Sequence, residues 1–213
     1  LNTEPYLANL SISPLSPVYN DSVVTCGAMV ADPDEVLAAA YEWSVGGTVL
    51  ANGSSINLAD YTLMPADDLL CTASATDSQG ASQSADMFVT LENRNPVVDS
   101  VTIDNQNPYT DSTLSCVASA SDLDGENPGV SYEWLVDGSA VAVGDSLTLN
   151  GATAPVGSTV SCQVTALDGY GGSATGTSSV TVENTAPTIS GTVITGGVYN
   201  TDVLNCNTTA VDP

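Results

Sequence analysis

The feature that most constrains this chain is an internal repeat with a period of about 91 residues. Asn2, Asn93 and Asn184 each open an Asn-x-x-Pro element, and Trp43 and Trp134 are separated by the same period. The cysteines repeat as well: Cys26, Cys116 and Cys206 follow one another at steps of 90 residues, and Cys71 and Cys162 are 91 residues apart. Features of such different kinds share one offset when a single module has been copied. The chain therefore consists of tandem copies of one module.

The period also sets the predicted domain boundaries. Residues 1–92 form repeat 1, residues 93–183 form repeat 2, and residues 184–213 are the truncated start of repeat 3. Because repeat 3 reaches only its second strand, Cys206 has no partner in the sequence given, and we expect the chain to be a segment of a longer array. Residues 184–213 alone cannot bury an apolar face, and should be disordered, exchanged between chains or packed on another chain.

Short alternating segments within each copy predict β-strands, because they are separated by Gly, Pro, Asn and Asp and show no helical periodicity. In repeat 2 the strands are expected near residues 97–104, 113–120, 130–136, 145–149, 159–166 and 174–182. A module of about ninety residues with seven or so strands has the size of an immunoglobulin-type sandwich. We therefore predict an all-β fold of tandem immunoglobulin-like Greek-key β-sandwiches.

The order Cys, Trp, Cys within each complete copy supports this fold. The three residues fall on the inward face of the second, third and sixth strands, as Cys26, Trp43 and Cys71 in repeat 1 and as Cys116, Trp134 and Cys162 in repeat 2. In an immunoglobulin sandwich a disulfide joins the two sheets at these strands, and the indole packs against it. We predict one such inter-sheet disulfide in each complete repeat, closing a loop of about 45 residues that contributes roughly 3–4 kcal/mol. Buried free thiols are the alternative.

The charge balance excludes several classes of partner. A single basic residue, Arg94, stands against 25 Asp and Glu, so the formal net charge is -24. A surface of this sign repels phosphate backbones, and the sequence has no apolar run of the roughly 18 residues that span a bilayer. We predict neither nucleic-acid binding nor membrane insertion. The self-repulsion calls for divalent cations or external salt, which points outside the cell.

The residue types that are missing exclude most enzyme chemistry. Without His, no Ser-His-Asp or Cys-His relay and no imidazole ligation of zinc can form, and without Lys there is no Schiff base. Paired carboxylates would still permit glycoside hydrolysis. The acidic residues recur in every copy, however, whereas an active site needs to occur only once. We predict that the chain is not an enzyme.

Several motifs resemble known modules. They are ADPDE at 31–35, SDLDGE at 121–126, the YEW strand in both complete copies, the segments that end at Asp77 and Asp168, and the Asn-x-x-Pro linker. With these motifs the chain resembles bacterial immunoglobulin-like repeats of the polycystic-kidney-disease type, and cadherin-like repeats, over its whole length. Such modules are abundant in large secreted surface proteins. The resemblance implies an extracellular or cell-surface location and a structural or adhesive role.

The same resemblance implies calcium, because cadherin-like repeats place a DxD loop, a later Asp and an acidic-Asn linker around this ion. The implied ligands are Asp32, Asp34 and Asp77 in repeat 1, with Glu35 beside them, Glu92, Asn93, Asn95, Asp122, Asp124, Glu126 and Asp168 at the next junction, and Glu183, Asn184 and Asp212 at the start of repeat 3. So many oxygens without a basic partner repel one another unless a cation is present, and calcium takes about six to eight oxygen ligands. Acidic turns that are simply solvated are the alternative.

The predicted function is a non-catalytic segment of an extracellular array, such as a stalk, fibre or filament, which calcium stiffens at the junctions. Its partners would be neighbouring copies of the repeat and, in a fibre, other chains. The alternative is a carbohydrate-binding accessory module of a secreted hydrolase, with surface glycans as the ligand. That function needs an exposed aromatic platform, whereas both Trp residues are assigned to the core.

Overall fold

A computed structural model of the chain describes residues 2–197 and 199–211. Its regular structure consists of β-strands and one short 3-10 helix at Leu58–Asp60. Within the described residues no helix has the length and hydrophobicity needed to cross a bilayer. Packing divides the chain into two compact units. The first contains the residues through Val97 together with the loop segments Ala120–Gly129 and Leu167–Ala174, and the second contains Val98–Ser119, Val130–Ala166 and the residues from Thr175 onward.

Repeat 1 forms a sandwich of two antiparallel sheets. Its strands are β1 (Tyr6–Ser13), β2 (Val23–Ala31), β3 (Ala40–Val45), β4 (Thr48–Asn52), β5 (Ser55–Asn57), β6 (Asp68–Thr76) and β7 (Ser82–Thr90). The first sheet has the order β1-β2-β5 and the second the order β4-β3-β6-β7. The central strand β6 alternates buried with less buried side chains almost without interruption, so its apolar positions face the opposite sheet.

Repeat 2 has the same topology. Its strands are β8 (Val97–Ile103), β9 (Thr113–Ser121), β10 (Gly129–Val136), β11 (Ser139–Val143), β12 (Ser146–Thr148), β13 (Thr159–Leu167) and β14 (Ser173–Thr181). The sheets have the orders β12-β9-β8 and β11-β10-β13-β14. The short strand β11 is the one that the sequence pattern did not indicate, because its five residues have a mostly exposed pattern without clear alternation.

Each sandwich is closed around a buried Trp and a disulfide. Trp43 and Trp134 have no exposed surface, and their indole nitrogens donate to the backbone oxygens of Gly53 and Gly144 at 2.9 and 3.0 Å. The disulfides join the two sheets, with Cα–Cα distances of 6.6 Å for Cys26–Cys71 and 6.4 Å for Cys116–Cys162. The predicted all-β fold of tandem immunoglobulin-like sandwiches, with one inter-sheet disulfide in each complete repeat, is confirmed.

The start of repeat 3 reproduces the first two strands of the module. Strands β15 (Thr188–Thr195) and β16 (Asn205–Val211) pair with Ile194 opposite Cys206, just as Ile12 lies opposite Cys26 in repeat 1. All of their residues are exposed, and Cys206 is a free, exposed thiol. The boundaries after residues 92 and 183, and the exchange or packing of this segment on another chain, stay predictions.

Candidate metal centre

The acidic loops of repeat 2 are held by their own backbone. After β9, Asp122 Oδ1 accepts a hydrogen bond from the amide of Asp124 at 2.8 Å. After β13, Asp168 Oδ1 accepts from the amides of Tyr170 and Gly172 at 2.8 and 2.7 Å. Such side-chain-to-backbone bonds are the reason that Asp is favoured in turns, and they fix one oxygen of each carboxylate. The second oxygen of each group remains available to other partners.

The linker between the repeats is fastened to both loops. Asn93 Nδ2 donates to Asp168 Oδ2 at 2.9 Å, and the backbone amide of Arg94 donates to Asp124 Oδ2 at 2.6 Å. All four residues belong to the first compact unit, since that unit includes the loop segments 120–129 and 167–174. The structure therefore brings the DxD loop, the later Asp and the linker together, as the sequence predicted. We call Asn93, Asp122, Asp124, Glu126 and Asp168 the repeat 2 cluster.

The repeat 2 cluster contains oxygen atoms that have no hydrogen-bond donor. Asp122, Asp124 and Glu126 each offer a carboxylate oxygen within 4.8 Å of the others. Four buried oxygens in the cluster lack any partner, namely Asp122 Oδ2, both carboxylate oxygens of Glu126 and Asn93 Oδ1. A buried polar atom left unpaired costs about 1–3 kcal/mol, and more when it is charged. Oxygen-only donor sets that include carboxylates suit a hard cation such as Ca²⁺.

The electrostatics of the cluster agree with this description. Burial raises the pKa of Glu126, and the negative charges of Asp122 and Asp168 raise it further. The pKa of Asp168 is lowered instead, first by its hydrogen bond from Asn93 and then by its backbone donors, although partial burial opposes them. Asp168 is thus well supplied with donors, whereas the backbone of Gly169 only partly offsets the burial of Glu126 and its negative neighbours. A cation beside Glu126 would remove that penalty.

Gly172 shows how closely the linker and the loops approach. A Cβ atom at this position would collide with the carboxylate of Asp168, and would lie 2.8 Å from Asn95 Oδ1 and 3.0 Å from Asn93 Nδ2. Asn95, another predicted ligand, therefore lies beside the repeat 2 cluster. Glycine at residue 172 keeps this space open to the three polar side chains.

Repeat 1 builds a similar arrangement, which we call the repeat 1 cluster: Asn2, Asp32, Asp34, Glu35 and Asp77. Asn2 Nδ2 donates to Asp77 Oδ2 at 2.7 Å, the Thr3 amide donates to Asp34 Oδ2 at 2.8 Å, and the Asp34 amide donates to Asp32 Oδ1 at 2.8 Å. The hydrogen bond from Asn2 lowers the pKa of Asp77. Here Glu35 Oε1 accepts from the amide of Ser78 at 2.7 Å, and Asp32 Oδ2 is the buried oxygen without a partner among the described residues.

The remaining predicted ligands lie in other surroundings. Glu92 is exposed, and its carboxylate accepts a hydrogen bond from Ser16 Oγ at 2.5 Å. Glu183 and Asn184 are also exposed, and Asp212 lies outside the described residues. The assignment of the thirteen acidic and Asn residues as calcium ligands stays a prediction, and the repeat 2 cluster is the part of it with the most complete geometry.

Sequence reasoning gave no role to Arg94, which lies in the same linker. Its guanidinium donates to Asp124 Oδ1 at 2.8 Å and to Asp21 Oδ2 at 2.9 Å, and it lies over the ring of Tyr19 with 4.7 Å between Cζ and the ring centroid. The available signal was its position, because the one basic residue of the chain falls inside the Asn-x-x-Pro linker.

The chain has only low sequence identity to the known proteins that it matches. No family model and no curated protein matches the sequence. Among solved structures, the chain is similar to the fibronectin(III)-like modules of CbhA from Clostridium thermocellum, with 17% identity, 82% of this chain and 94% of that chain covered, and a TM-score of 0.31. It is also similar to a 1.5-MDa bacterial ice-binding adhesin (16% identity, 90% and 70% covered, TM-score 0.34) and to cadherin repeats EC3-6 of protocadherin gammaB7 (13% identity, 89% and 53% covered, TM-score 0.32).

Proposed function

We propose that this chain is a non-catalytic structural or adhesive segment of an extracellular repeat array, and that Ca²⁺ at the repeat 2 cluster stiffens the junction between its modules. The observation that carries the proposal is the set of four buried oxygens without a donor on Asn93, Asp122 and Glu126. Unpaired polar atoms are rare in folded proteins, and each one calls for an explanation. A bound cation explains all four together.

The ion would be held by Asp122, Glu126 and Asn93, with Asp168 beside them. When bound, calcium supplies positive charge to oxygens that are short of hydrogen-bond donors, and it tolerates an irregular shell better than Mg²⁺ does. Because Asn93 belongs to the linker while Asp122 and Glu126 belong to the loop after β9, the ion would tie the linker to that loop. This tie would add to the hydrogen bonds that already fasten the linker, and a stiff linker is what a stalk or filament requires.

The extracellular part of the proposal is supported by covalent and charge features. Each complete repeat carries a disulfide between its sheets, and such bonds persist in oxidising surroundings. A formal charge of -24 favours a medium with divalent cations. The carbohydrate-binding alternative receives no comparable support, because both Trp side chains are fully buried.

The test compares calcium binding in the intact chain and in matched variants. We expect Ca²⁺ to bind measurably by titration calorimetry, and to raise the midpoint of thermal unfolding relative to protein in a chelator. Glu126→Gln removes one charged ligand and should weaken calcium binding at this site about 10- to 100-fold, since a carboxylate near an ion contributes a few kcal/mol. Small-angle scattering should show a broader range of particle lengths after chelation.

Two variants serve as controls. Glu133→Gln removes one exposed charge on β10, and Glu42→Gln removes the exposed charge at the matching position of β3. Both should leave the calcium affinity of the repeat 2 cluster within about twofold, because long-range charge effects are screened by salt. If calcium releases no heat and shifts no unfolding midpoint, or if all three variants weaken binding equally, the proposal is wrong.

A further inference from the structure

The position of the single basic residue is the starting observation. Arg94 is the second residue of the linker Asn-x-x-Pro, where the other two copies of the linker have Thr3 and Thr185. In a chain with 25 acidic residues, a lone cation has many exposed carboxylates to pair with. Its side chain is nevertheless only 18% exposed. Its location therefore reflects a specific set of contacts rather than general charge balance.

Those contacts occupy all three nitrogen atoms of the guanidinium. Nε donates to Asp124 Oδ1 at 2.8 Å, Nη1 donates to Asp21 Oδ2 at 2.9 Å, and Nη2 donates to Asn20 Oδ1 at 2.8 Å and to the backbone oxygen of Leu123 at 3.2 Å. The acceptors come from two places, the loop between β1 and β2 and the loop after β9. A planar fork of donors can serve several acceptors in different directions, which an ammonium group cannot reproduce.

Other contacts surround the fork. The ring of Tyr19 stacks beneath the guanidinium at 4.7 Å, a distance at which a cation and an aromatic face attract each other. Asn20 Nδ2 donates to the backbone oxygen of Asp124 at 2.8 Å, so Asn20 binds Arg94 with one end of its amide and the loop with the other. The carboxylate of Asp124 has no exposed surface, and both of its oxygens are occupied by Arg94. The whole arrangement lies in the first compact unit.

We propose that Arg94 is a built-in cation clamp, which fastens the β1–β2 loop of repeat 1 to the β9–β10 loop of repeat 2 without any metal ion. The clamp shares Asp124 with the repeat 2 cluster, but it uses other oxygens than those left without a donor. Asp21, Asn20, Leu123 and Asp124 supply its acceptors, whereas the unpaired oxygens of the repeat 2 cluster lie on Asn93, Asp122 and Glu126. One guanidinium thus neutralises the part of the junction that the metal would not reach.

The clamp predicts a junction that stays closed when calcium is removed. The contacts of Arg94 with buried Asp124 remain, because a chelator cannot remove a side chain of the protein. The β1–β2 loop and the loop after β9 should therefore stay fastened to each other at low calcium.

The experiment measures the junction in a chelator, so that calcium plays no part in it. Arg94→Thr installs the residue found in the other two linkers, and Arg94→Lys keeps the charge but loses the fork. We expect native-state hydrogen exchange at amides 19–22 and 120–129 to accelerate at least about tenfold in Arg94→Thr, and by less in Arg94→Lys.

Amides of β6 and β13 provide the folding control, since they lie in the two disulfide-linked cores and should exchange at unchanged rates. Equal loop exchange of wild type and Arg94→Thr in the chelator would overturn the clamp. That outcome would leave calcium binding untouched. Conversely, a chain that binds no calcium but loosens on Arg94→Thr would refute the proposed calcium site and support the clamp.

Discussion

The repeat 1 and repeat 2 clusters use one scaffold to hold different numbers of unsatisfied oxygens. In both, a linker Asn donates to the later Asp, at 2.7 Å in repeat 1 and 2.9 Å in repeat 2. In both, the first Asp of the DxD loop accepts from the amide of the second at 2.8 Å. Yet the repeat 1 cluster leaves one buried oxygen without a donor and the repeat 2 cluster leaves four, among the described residues.

A single additional loop residue accounts for much of this difference. The segment from the second Asp of the DxD loop to the Tyr of the next strand is one residue longer in repeat 2 than in repeat 1. The additional residue is Gly125, which precedes Glu126. Gly125 has a φ of +92°, a conformation that favours glycine. In repeat 1, Glu35 follows Asp34 directly and reaches the amide of Ser78. The comparison teaches that the register of one Glu decides whether its carboxylate accepts a short hydrogen bond, as Glu35 does from Ser78, or only a weak backbone interaction, as Glu126 does from Gly169.

The second difference is the residue after the linker Asn. In repeat 1, Thr3 offers only its backbone amide to Asp34, which is exposed. In repeat 2, Arg94 offers its amide and its guanidinium to Asp124, which is 1% exposed. The same acidic position is therefore a solvated turn residue in one copy and the buried acceptor of an ion pair in the other.

The largest expected effect comes from removing that acidic residue in each copy. Asp124→Ala leaves the guanidinium of Arg94 without its buried partner, and should lower the local free energy of opening by about 2–3 kcal/mol. Asp34→Ala removes an exposed acceptor and should cost about 0.5–1 kcal/mol. Native-state hydrogen exchange of metal-free protein at residues 120–129 and 31–35 measures both values. Equal costs in the two copies would contradict the distinction drawn between them.

The fold was predictable because its determinants repeat and alternate. The spacing of Cys26, Trp43 and Cys71, together with alternating apolar positions, indicated both the sandwich and the disulfide, and the structure confirms them. Strand β11 was missed because its side chains are mostly exposed and give no periodic signal. A strand that is defined by its pairing with β10, rather than by its own burial, leaves little trace in the sequence.

The residue types of the candidate site could be predicted from the sequence, but the contacts of each side chain could not. The DxD loop, the later Asp and the linker Asn could be grouped from the sequence, since their positions recur in each copy. The hydrogen bond that Glu92 accepts from Ser16, for example, cannot be predicted from the spacing of residues in the sequence. The role of Arg94 depends on the approach of two loops from different repeats, residues 19–21 and 120–129, which only a three-dimensional arrangement can reveal.

The second prediction, smaller than the first, concerns acidification of metal-free protein. The pKa of Glu126 is raised in the folded chain by burial and by neighbouring carboxylates, so its charged form destabilises the fold. As pH falls through that raised pKa toward the ordinary value for Glu, the stability of repeat 2 should increase. Asp77 and Asp168 have lowered pKa values, so the stability that each contributes is present above the ordinary pKa of Asp and is lost as pH falls below it.

Chemical denaturation at a series of pH values measures this profile. Repeat 2 should become more stable on moving from neutral pH toward the ordinary pKa of Glu and then lose stability at lower pH. Glu126→Gln should abolish the first rise and keep the later loss. A rise that persists in Glu126→Gln would show that another carboxylate is responsible.

The smallest expected effect comes from a substitution that introduces the clamp at the next linker. Thr185 occupies the position of Arg94, and together with Tyr109, Thr110 and Asp111 it lines a cavity of about 220 Å³. These three residues correspond in the repeat to Tyr19, Asn20 and Asp21, which hold the guanidinium of Arg94. Thr185→Arg would therefore place a guanidinium beside an aromatic ring and a carboxylate. Because Asp111 is exposed, we expect a gain of only about 0.5–1 kcal/mol in the unfolding free energy of repeat 2.

Denaturant unfolding in a chelator measures that gain, and salt should reduce it, since the new ion pair is partly solvated. The matched control is Thr185→Arg combined with Asp111→Asn, which keeps the added side chain and removes its charged partner. If the gain comes from the clamp chemistry, the combined variant should lose most of it. If both variants are stabilised equally, the added side chain acts by packing alone. The Tyr and Asp that the two copies share are then not sufficient to reproduce the contacts of Arg94.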